Sequence, residues 1–562
     1  MKFQDMPYRR VTVEEVKASV EKCLTALADA KCASCAEKAL RTYFEENKIT
    51  ETNISICQVR NSIDTTDTFY EAETAYYDEA GPLMEEQTQR LNDALLSSPY
   101  RTELEGIFGK LYFAKLENAK KQFSPAIIPE LQEENRLCTA YEKLLGTAQL
   151  QYDGKTLNLS QMMPYRTGSD RAVRKEANTV YFGWFEANHD ELDRLYAELV
   201  AVRTRMAKKL GYDNYIPLAY IRMERMDYNA DMVKVYRDEV RKHIVPLVAE
   251  IDRGQAARLG YDKLYYYDVD YLFADGNPKP IGTPEELVEK ARTMYEALSP
   301  ETAEFFNHMV ENELMDLVAK PGKTTGGYCT FFSAYKSPFI FSNFNGTKDD
   351  VDVLTHEAGH ALQMYWSMRE LDNPALVFPT LESCEIHSMS MELITSTYME
   401  PFFGADTDKF RYLQLVDILR FVPYGCLVDD FQHHIYANPD MTPDERRACW
   451  RELERAYMPG LDFDGMDFLE RGGRWHRQSH IYVNPFYYID YTLAQICAVQ
   501  FYLRFQRGDE RAWEDYLTLC KVGGSRTFLE LVKLGGLKSP FEEGVLPQAM
   551  EELRVKIESL KV

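Results

Sequence analysis

From about residue 13 to residue 200, apolar residues recur three and four places apart with charged residues between them. That period belongs to helices, each of which must bury one stripe against its neighbours. The stretches from Val13 to Ala28 and from Phe69 to Leu96 carry it most clearly. Strand signals are few. The aromatic run Leu264-Tyr-Tyr-Tyr-Asp-Val-Asp-Tyr271 reads as extended or buried and leads into the turn-rich Asp275-Gly-Asn-Pro-Lys-Pro280. Two strands are predicted, in Gly326-Gly-Tyr-Cys-Thr-Phe-Phe332 and Pro338-Phe-Ile-Phe341. Helical texture returns after Asp349. The expectation is a mainly α-helical protein with one small sheet. At 562 residues it has room for more than one domain. With no short-period repeat and no low-complexity linker, the expected division is a helical N-terminal lobe over residues 1–200 and a second region over 201–562.

Composition narrows the function classes. A 45% hydrophobic and 27% charged chain is ordinary for a globular protein. Lys and Arg total 65 against 89 Asp and Glu, a formal net charge of -24. Such a balance argues against nucleic acid as a partner, because phosphate binding needs clustered positive charge. No run of about 18 apolar residues occurs, so no membrane span is expected. The opening Met1-Lys-Phe-Gln-Asp-Met-Pro7 lacks the apolar core of a secretory signal. The 11 cysteines are an odd number and widely scattered, which suits reduced thiols in a cytoplasm. Cys32-Ala-Ser-Cys35 has C-x-x-C spacing but no second pair, and reads as two half-buried small residues in a helical run.

The chemistry is concentrated in Asp349-Asp-Val-Asp-Val-Leu-Thr-His-Glu-Ala-Gly-His-Ala-Leu-Gln363, which contains H-E-x-x-H. Four residues turn a helix by about 400°, so His356 and His360 share one face, one turn apart. Both imidazoles can then reach one zinc ion, with Glu357 beside it to take a proton from water. Thr347 is placed to cap this helix, and Asp349 and Asp350 suit its positive end. A third ligand is needed. A metzincin would carry Gly and His three and six places beyond the second histidine, where this chain has Gln363 and Trp366. The other common solution is a glutamate from a following helix. Thr380-Leu-Glu-Ser-Cys-Glu-Ile-His-Ser-Met-Ser-Met-Glu392 reads as that helix. Glu385 and Glu392 share a face, so one can bind metal while the other orients a histidine. Spacing does not choose between Glu382 and Glu385, and His387 reads as packing or as support for a ligand.

The order H-E-A-G-H, 24 intervening residues, then E-I-H-S-M-S-M-E resembles the M3 metallopeptidases, the thimet oligopeptidase clan. It is most similar to their bacterial oligoendopeptidase F and Pz-peptidase branch. Further similarity lies in Asn214-Tyr-Ile-Pro-Leu-Ala-Tyr-Ile-Arg-Met-Glu-Arg-Met-Asp-Tyr228, Pro321-Gly-Lys-Thr-Thr-Gly-Gly-Tyr328 and His480-Ile-Tyr-Val-Asn-Pro-Phe-Tyr-Tyr-Ile-Asp-Tyr491. The resemblance implies Glu385 as third ligand and one zinc ion per chain. It also implies a two-lobed helical zincin enclosing a deep substrate channel, with the small sheet beside the H-E-x-x-H helix.

Hydrolysis of a peptide passes through an oxyanion that needs protein donors. Pro485 suits a first helical position and would put Tyr488 and Tyr491 on one face. The resemblance implies that His480 and Tyr488 serve the oxyanion and Tyr491 the substrate, with Tyr482 as an alternative donor. Gly326 and Gly327 would let a strand edge approach an extended peptide closely. The expected function is a zinc-dependent endopeptidase hydrolysing internal bonds of short oligopeptides. Its rivals are a dipeptidyl carboxypeptidase or aminopeptidase with the same ligands, and a non-catalytic peptide-binding protein, against which the intact Glu357 speaks. The sequence fixes no oligomeric state.

Overall fold

Several helices begin where the sequence supplies both a cap and an apolar stripe. Thr12 accepts from the Glu15 N–H while Glu15 accepts from the Thr12 N–H, and Val13–Ala28 follows with Val16, Val20 and Cys23 buried on one side. The same reciprocal cap opens Pro284–Leu298 at Thr283 and Pro443–Tyr457 at Thr442. The computed structural model describes residues 1–560 and 562, and most of them are helical. One apolar cluster gathers Val20, Leu40, Phe44, Leu104 and Phe113, all from the N-terminal helices. A much larger one takes in Tyr141, Tyr196, Leu354, Phe431 and Leu493, with Tyr482 wholly inside it. No described helix is long and apolar enough to cross a membrane.

The expected sheet is present, with Ser337–Phe344 at its centre. Tyr328–Phe332 pairs antiparallel on one side and Met315–Val318 parallel on the other. The Met315–Val318 strand had no sequence signal: it is four residues long and carries Asp316, which meets the fully buried Lys323 ammonium at 2.5 Å. A second sheet was missed altogether. Leu150–Tyr152 and Lys155–Leu157 form a hairpin across Asp153 and Gly154, both at positive φ, 51° and 70°. That Asp-Gly pair is a strong hairpin signal, hidden within long helical surroundings. The aromatic run at 264–271 is neither strand nor helix but a series of turns. Asp268, fully buried, accepts from Arg171 at 2.6 Å and Arg174 at 2.9 Å and so folds the run inward.

The sheet packs on the helix Asp349–Glu370, hereafter the motif helix, which in turn packs on Leu381–Thr395, the glutamate helix. The glutamate helix is clasped from its other side by Tyr488–Gln506, the tyrosine helix. Cavities of about 180, 320 and 290 Å³ all border Asp417, and the middle one reaches His356.

One glycine sets the spacing of the first two helices. A Cβ on Gly359 would lie 2.5 Å from the His387 carbonyl oxygen and 2.6 Å from Ser388 Cα, so the two backbones meet there without a side chain between them. Gly359→Ala is therefore expected to destabilise the protein by about 1–3 kcal/mol. Thermal unfolding measures the loss, and an unchanged melting temperature would contradict this contact.

Candidate active site

The motif helix starts differently from the sequence expectation. Lys348 is its cap residue and Thr347 makes no cap bond; the Thr347 hydroxyl donates instead to Asn345 Oδ1 at 2.7 Å. Asp350, inside the first turn, reaches back to accept from the Asn345 and Gly346 N–H groups at 2.8 and 2.9 Å. The Asp350 carboxylate thus ties down the turn before the helix, while the Thr347 hydroxyl is used within that turn.

About two and three turns on, His356 and His360 project together, their ring centroids 5.0 Å apart. Glu385 from the glutamate helix completes the group. Its Oε2 lies 3.2 Å from His356 Nε2 and 3.4 Å from His360 Nε2, and the three donor atoms fall within 4.8 Å of one another. Ser388 donates to Glu385 Oε2 at 2.7 Å. Glu392, two turns after Glu385, sits 2.6 Å from His356 Nδ1, which leaves Nε2 as the nitrogen turned to the centre. Glu382 points elsewhere: it is fully buried, neither carboxyl oxygen has a partner, and burial together with Asp490 pushes it well above the usual carboxylate range. His387 is a packing residue, fully buried against Cys520 and Tyr516, and burial lowers it to about 3.

The donor set favours a positive charge at its centre. Although burial disfavours its charged form, Glu385 and Glu392 push His356 well above the ordinary imidazole value. Burial opposes ionisation of Glu385 too, yet His360 and His356 hold it well below the carboxylate range. A proton answers that demand in part, and a divalent metal with two neutral imidazoles and one carboxylate answers it in full. Two histidines and a carboxylate, with one coordination position left open, are the donors a catalytic zinc takes, so the residues present fit that ion. Glu357 stands beside this group, buried, with Oε2 unpartnered and its pKa raised by burial.

Over Glu357 passes the start of the edge strand. A Cβ on Gly327 would come 3.3 Å from Glu357 Oε1, while Gly326 takes φ 88° and is held through its carbonyl by Asn343 at 2.7 Å. From Tyr328 to Phe332 the strand pairs on one side only, leaving a free edge.

Facing the histidines are the residues between 478 and 491. Pro485 does not open the tyrosine helix; it begins at Tyr488, because Phe486 takes φ 69° and breaks the chain direction. Tyr424 donates to Gln478 Oε1 at 2.8 Å, and Gln478 Nε2 lies 2.8 Å from His480 Nδ1. This relay makes Nδ1 the acceptor and leaves a proton on Nε2, which lies 3.3 Å from the Tyr491 hydroxyl. Burial lowers His480 to about 4, so its imidazole is neutral near pH 7. Tyr488 stacks edge-on to His480 at 4.9 Å and lines the cavity at His356. Tyr482 is not near them: it is fully buried, stacked on Tyr141 at 4.0 Å. Tyr487 was missed by sequence reasoning, yet its hydroxyl donates to Glu385 Oε1. Gln478 and Tyr424 were missed too. None stands out in a chain with 37 tyrosines, and only the fold brings them to the site.

If this geometry governs metal binding, Glu385→Ala should abolish zinc uptake, and Glu392→Ala should weaken it by about 10–100-fold. Glu382→Ala should leave it unchanged. Zinc titration against a competing chelator distinguishes the three, and equal affinity in the Glu385 and Glu382 variants would contradict the assignment.

Comparison with known proteins identifies the family. Residues 165–551 match the model of the family described as Peptidase family M3, and residues 3–123 that of the Peptidase M3 N-terminal domain. The chain is 24% identical over 405 residues to an oligoendopeptidase F homolog of Borreliella burgdorferi, covering 70% of this chain and 66% of that protein. It is 23% identical over 491 residues to the oligopeptidase PepF of Bacillus subtilis, covering 80% and 70%. The chain thus spans about two thirds of the length of these curated relatives. Among solved structures, Pz peptidase A with an inhibitor superposes over 100% of both chains with a TM-score of 0.98 and 47% identity. With a matched segment that holds every residue of the His-His-Glu group and the tyrosines facing it, the chain belongs to peptidase family M3.

Proposed function

We propose that this protein is a zinc-dependent endopeptidase that cuts internal bonds of short oligopeptides in the cytoplasm. One observation carries the reading: a buried carboxylate with a free oxygen, Glu357, stands between a His-His-Glu group and an open strand edge. Peptidase and oligopeptidase relatives support it, as does the inhibitor complex of Pz peptidase A. The free cysteines, none in a disulfide, suit a reducing compartment.

His356, His360 and Glu385 would hold the zinc, with Tyr487 and Ser388 fixing Glu385. When bound, the ion would supply Lewis-acid polarisation of the scissile carbonyl and acidify a water molecule. An extended peptide lies along the free edge of Tyr328–Phe332, which needs no free terminus to recognise it. Glu357, whose pKa is raised by burial, takes the proton of the attacking water and passes it to the leaving amine. The neutral His480 donates from Nε2, and the Tyr488 hydroxyl with it, to the substrate oxygen as it becomes negative. Tyr491 steadies His480 and contacts the substrate, and Gly327 keeps the strand close to Glu357.

The test is mass spectrometry of products from a mixed peptide library, including peptides blocked at both ends, with and without chelator. Internal cuts in blocked peptides that vanish with chelator are expected; release only of end residues would replace the reading with an exopeptidase. Glu357→Gln should keep zinc and lose nearly all turnover, since an amide accepts no proton; retention of most activity would remove Glu357 from its role. Tyr488→Phe should lower kcat by roughly 10²–10³-fold with zinc content and KM little changed. Tyr487→Phe should instead weaken zinc binding, and the reverse pattern would exchange the two tyrosines.

A further inference from the structure

We propose that the cavity beside His356 is a subsite for a basic side chain, lysine or arginine, of the peptide; this rests on the peptidase reading above. The cavity holds about 320 Å³ and opens next to His356 and Tyr488, where a bound peptide would pass. Ile418 and Phe421 give it apolar walls suited to an aliphatic stem.

Its lining offers acceptors without donors. Gln414 is 5% exposed, and its Oε1 has no hydrogen-bond partner. Asp352 Oδ1, of another lining residue, has none either. Buried acceptors left unmatched are costly, and a cationic head would satisfy both.

The charge points the same way. Asp352, Asp417 and Glu392 line the cavity. Glu392 is engaged by His356. The Lys348 ammonium sits 2.7 Å from Asp352 and 3.0 Å from Asp417, but also 3.1 Å from Asp349, so one cation serves three carboxylates. Arg420, which also acts on Asp417, is taken up by Asp252 at 2.6 Å and by Gln255. Burial, with Glu392 nearby, pushes Asp352 up to about 7 even with Lys348 in contact, a carboxyl that a further cation would help to ionise. A glutamate side chain in this place would be repelled, and a norleucine would leave the acceptors bare.

The test uses the zinc-loaded protein and one peptide sequence in which each position in turn is lysine, norleucine or glutamate. Cleavage sites and kcat/KM are read by mass spectrometry. At one position relative to the cut, lysine should exceed norleucine by roughly 10–100-fold, the range expected of a hydrogen-bonded charge, and glutamate should fall below norleucine. Asp352→Asn and Asp417→Asn should each reduce the lysine-to-norleucine ratio several-fold, the norleucine peptide serving as internal reference. Equal rates for lysine and norleucine at every position, or an unaltered ratio in both variants, would overturn the subsite while leaving the peptidase intact. Failure to cleave any of the three peptides would overturn the peptidase reading, and the subsite with it.

Discussion

Where the motif helix crosses the glutamate helix, the absent side chain of Gly359 lets backbone lie on backbone, and the positions of His356, His360 and Glu385 follow from that contact. His360 is the next residue along one helix and Glu385 lies one turn back from Ser388 on the other. A separation larger by the width of a methyl group would pull a carboxylate away from two imidazoles that it meets at 3.2 and 3.4 Å. The sheet on one side and the tyrosine helix on the other are backing for this pair. The 320 Å³ cavity opens beside His356.

The opposite wall depends on buried charge. Arg225 donates to the Phe486 carbonyl and to Asp490, both at 2.6 Å, and Phe486 N–H donates to Gln432 at 2.8 Å. These bonds hold Phe486 at φ 69°, a conformation a bulky residue adopts only where its surroundings dictate it. The turn at Phe486 aims Tyr487 at Glu385 and Tyr488 at the cavity. Buried pairs of this kind contribute little net stability, but losing one partner leaves the other charge without a match. Their effect here is on position: they join the segment around Arg225 to the tyrosines some 260 residues away.

The legible parts of this molecule were those written in local spacing. The helical period over the first third, the two longer strands and the pairing of His356 with His360 all follow from neighbours within a turn or a strand. Glu392 could be read as a partner of a histidine because seven residues keep it on the face of Glu385. The choice of Glu385 over Glu382 could not be read that way. It turns on which side of one helix faces the motif helix, and only the family resemblance pointed to it. Tyr487, Gln478 and Tyr424 were illegible because their roles exist only through contacts across the fold. The Thr347 cap and the Pro485 start failed for a common reason. Each assigned a single residue's preference where other bonds decided the backbone: Asp350 reaching back to Asn345 and Gly346 in one case, and contacts from Arg225 and Gln432 at Phe486 in the other.

The order of these parts along the chain has a kinetic consequence. His356, His360 and Glu385 lie on two successive helices, so their meeting closes a short loop and is fast. Tyr487, Tyr488 and His480 must join them from about a hundred residues downstream, and the segment around Arg225 that fixes them lies far upstream. On a ribosome, which delivers the N-terminus first, the ligand helices are complete before His480, Tyr487 and Tyr488 have been made. A nascent chain therefore carries the whole His-His-Glu group while still lacking the tyrosines and His480 that face it. Competence to cut peptides would be the last property the growing protein gains.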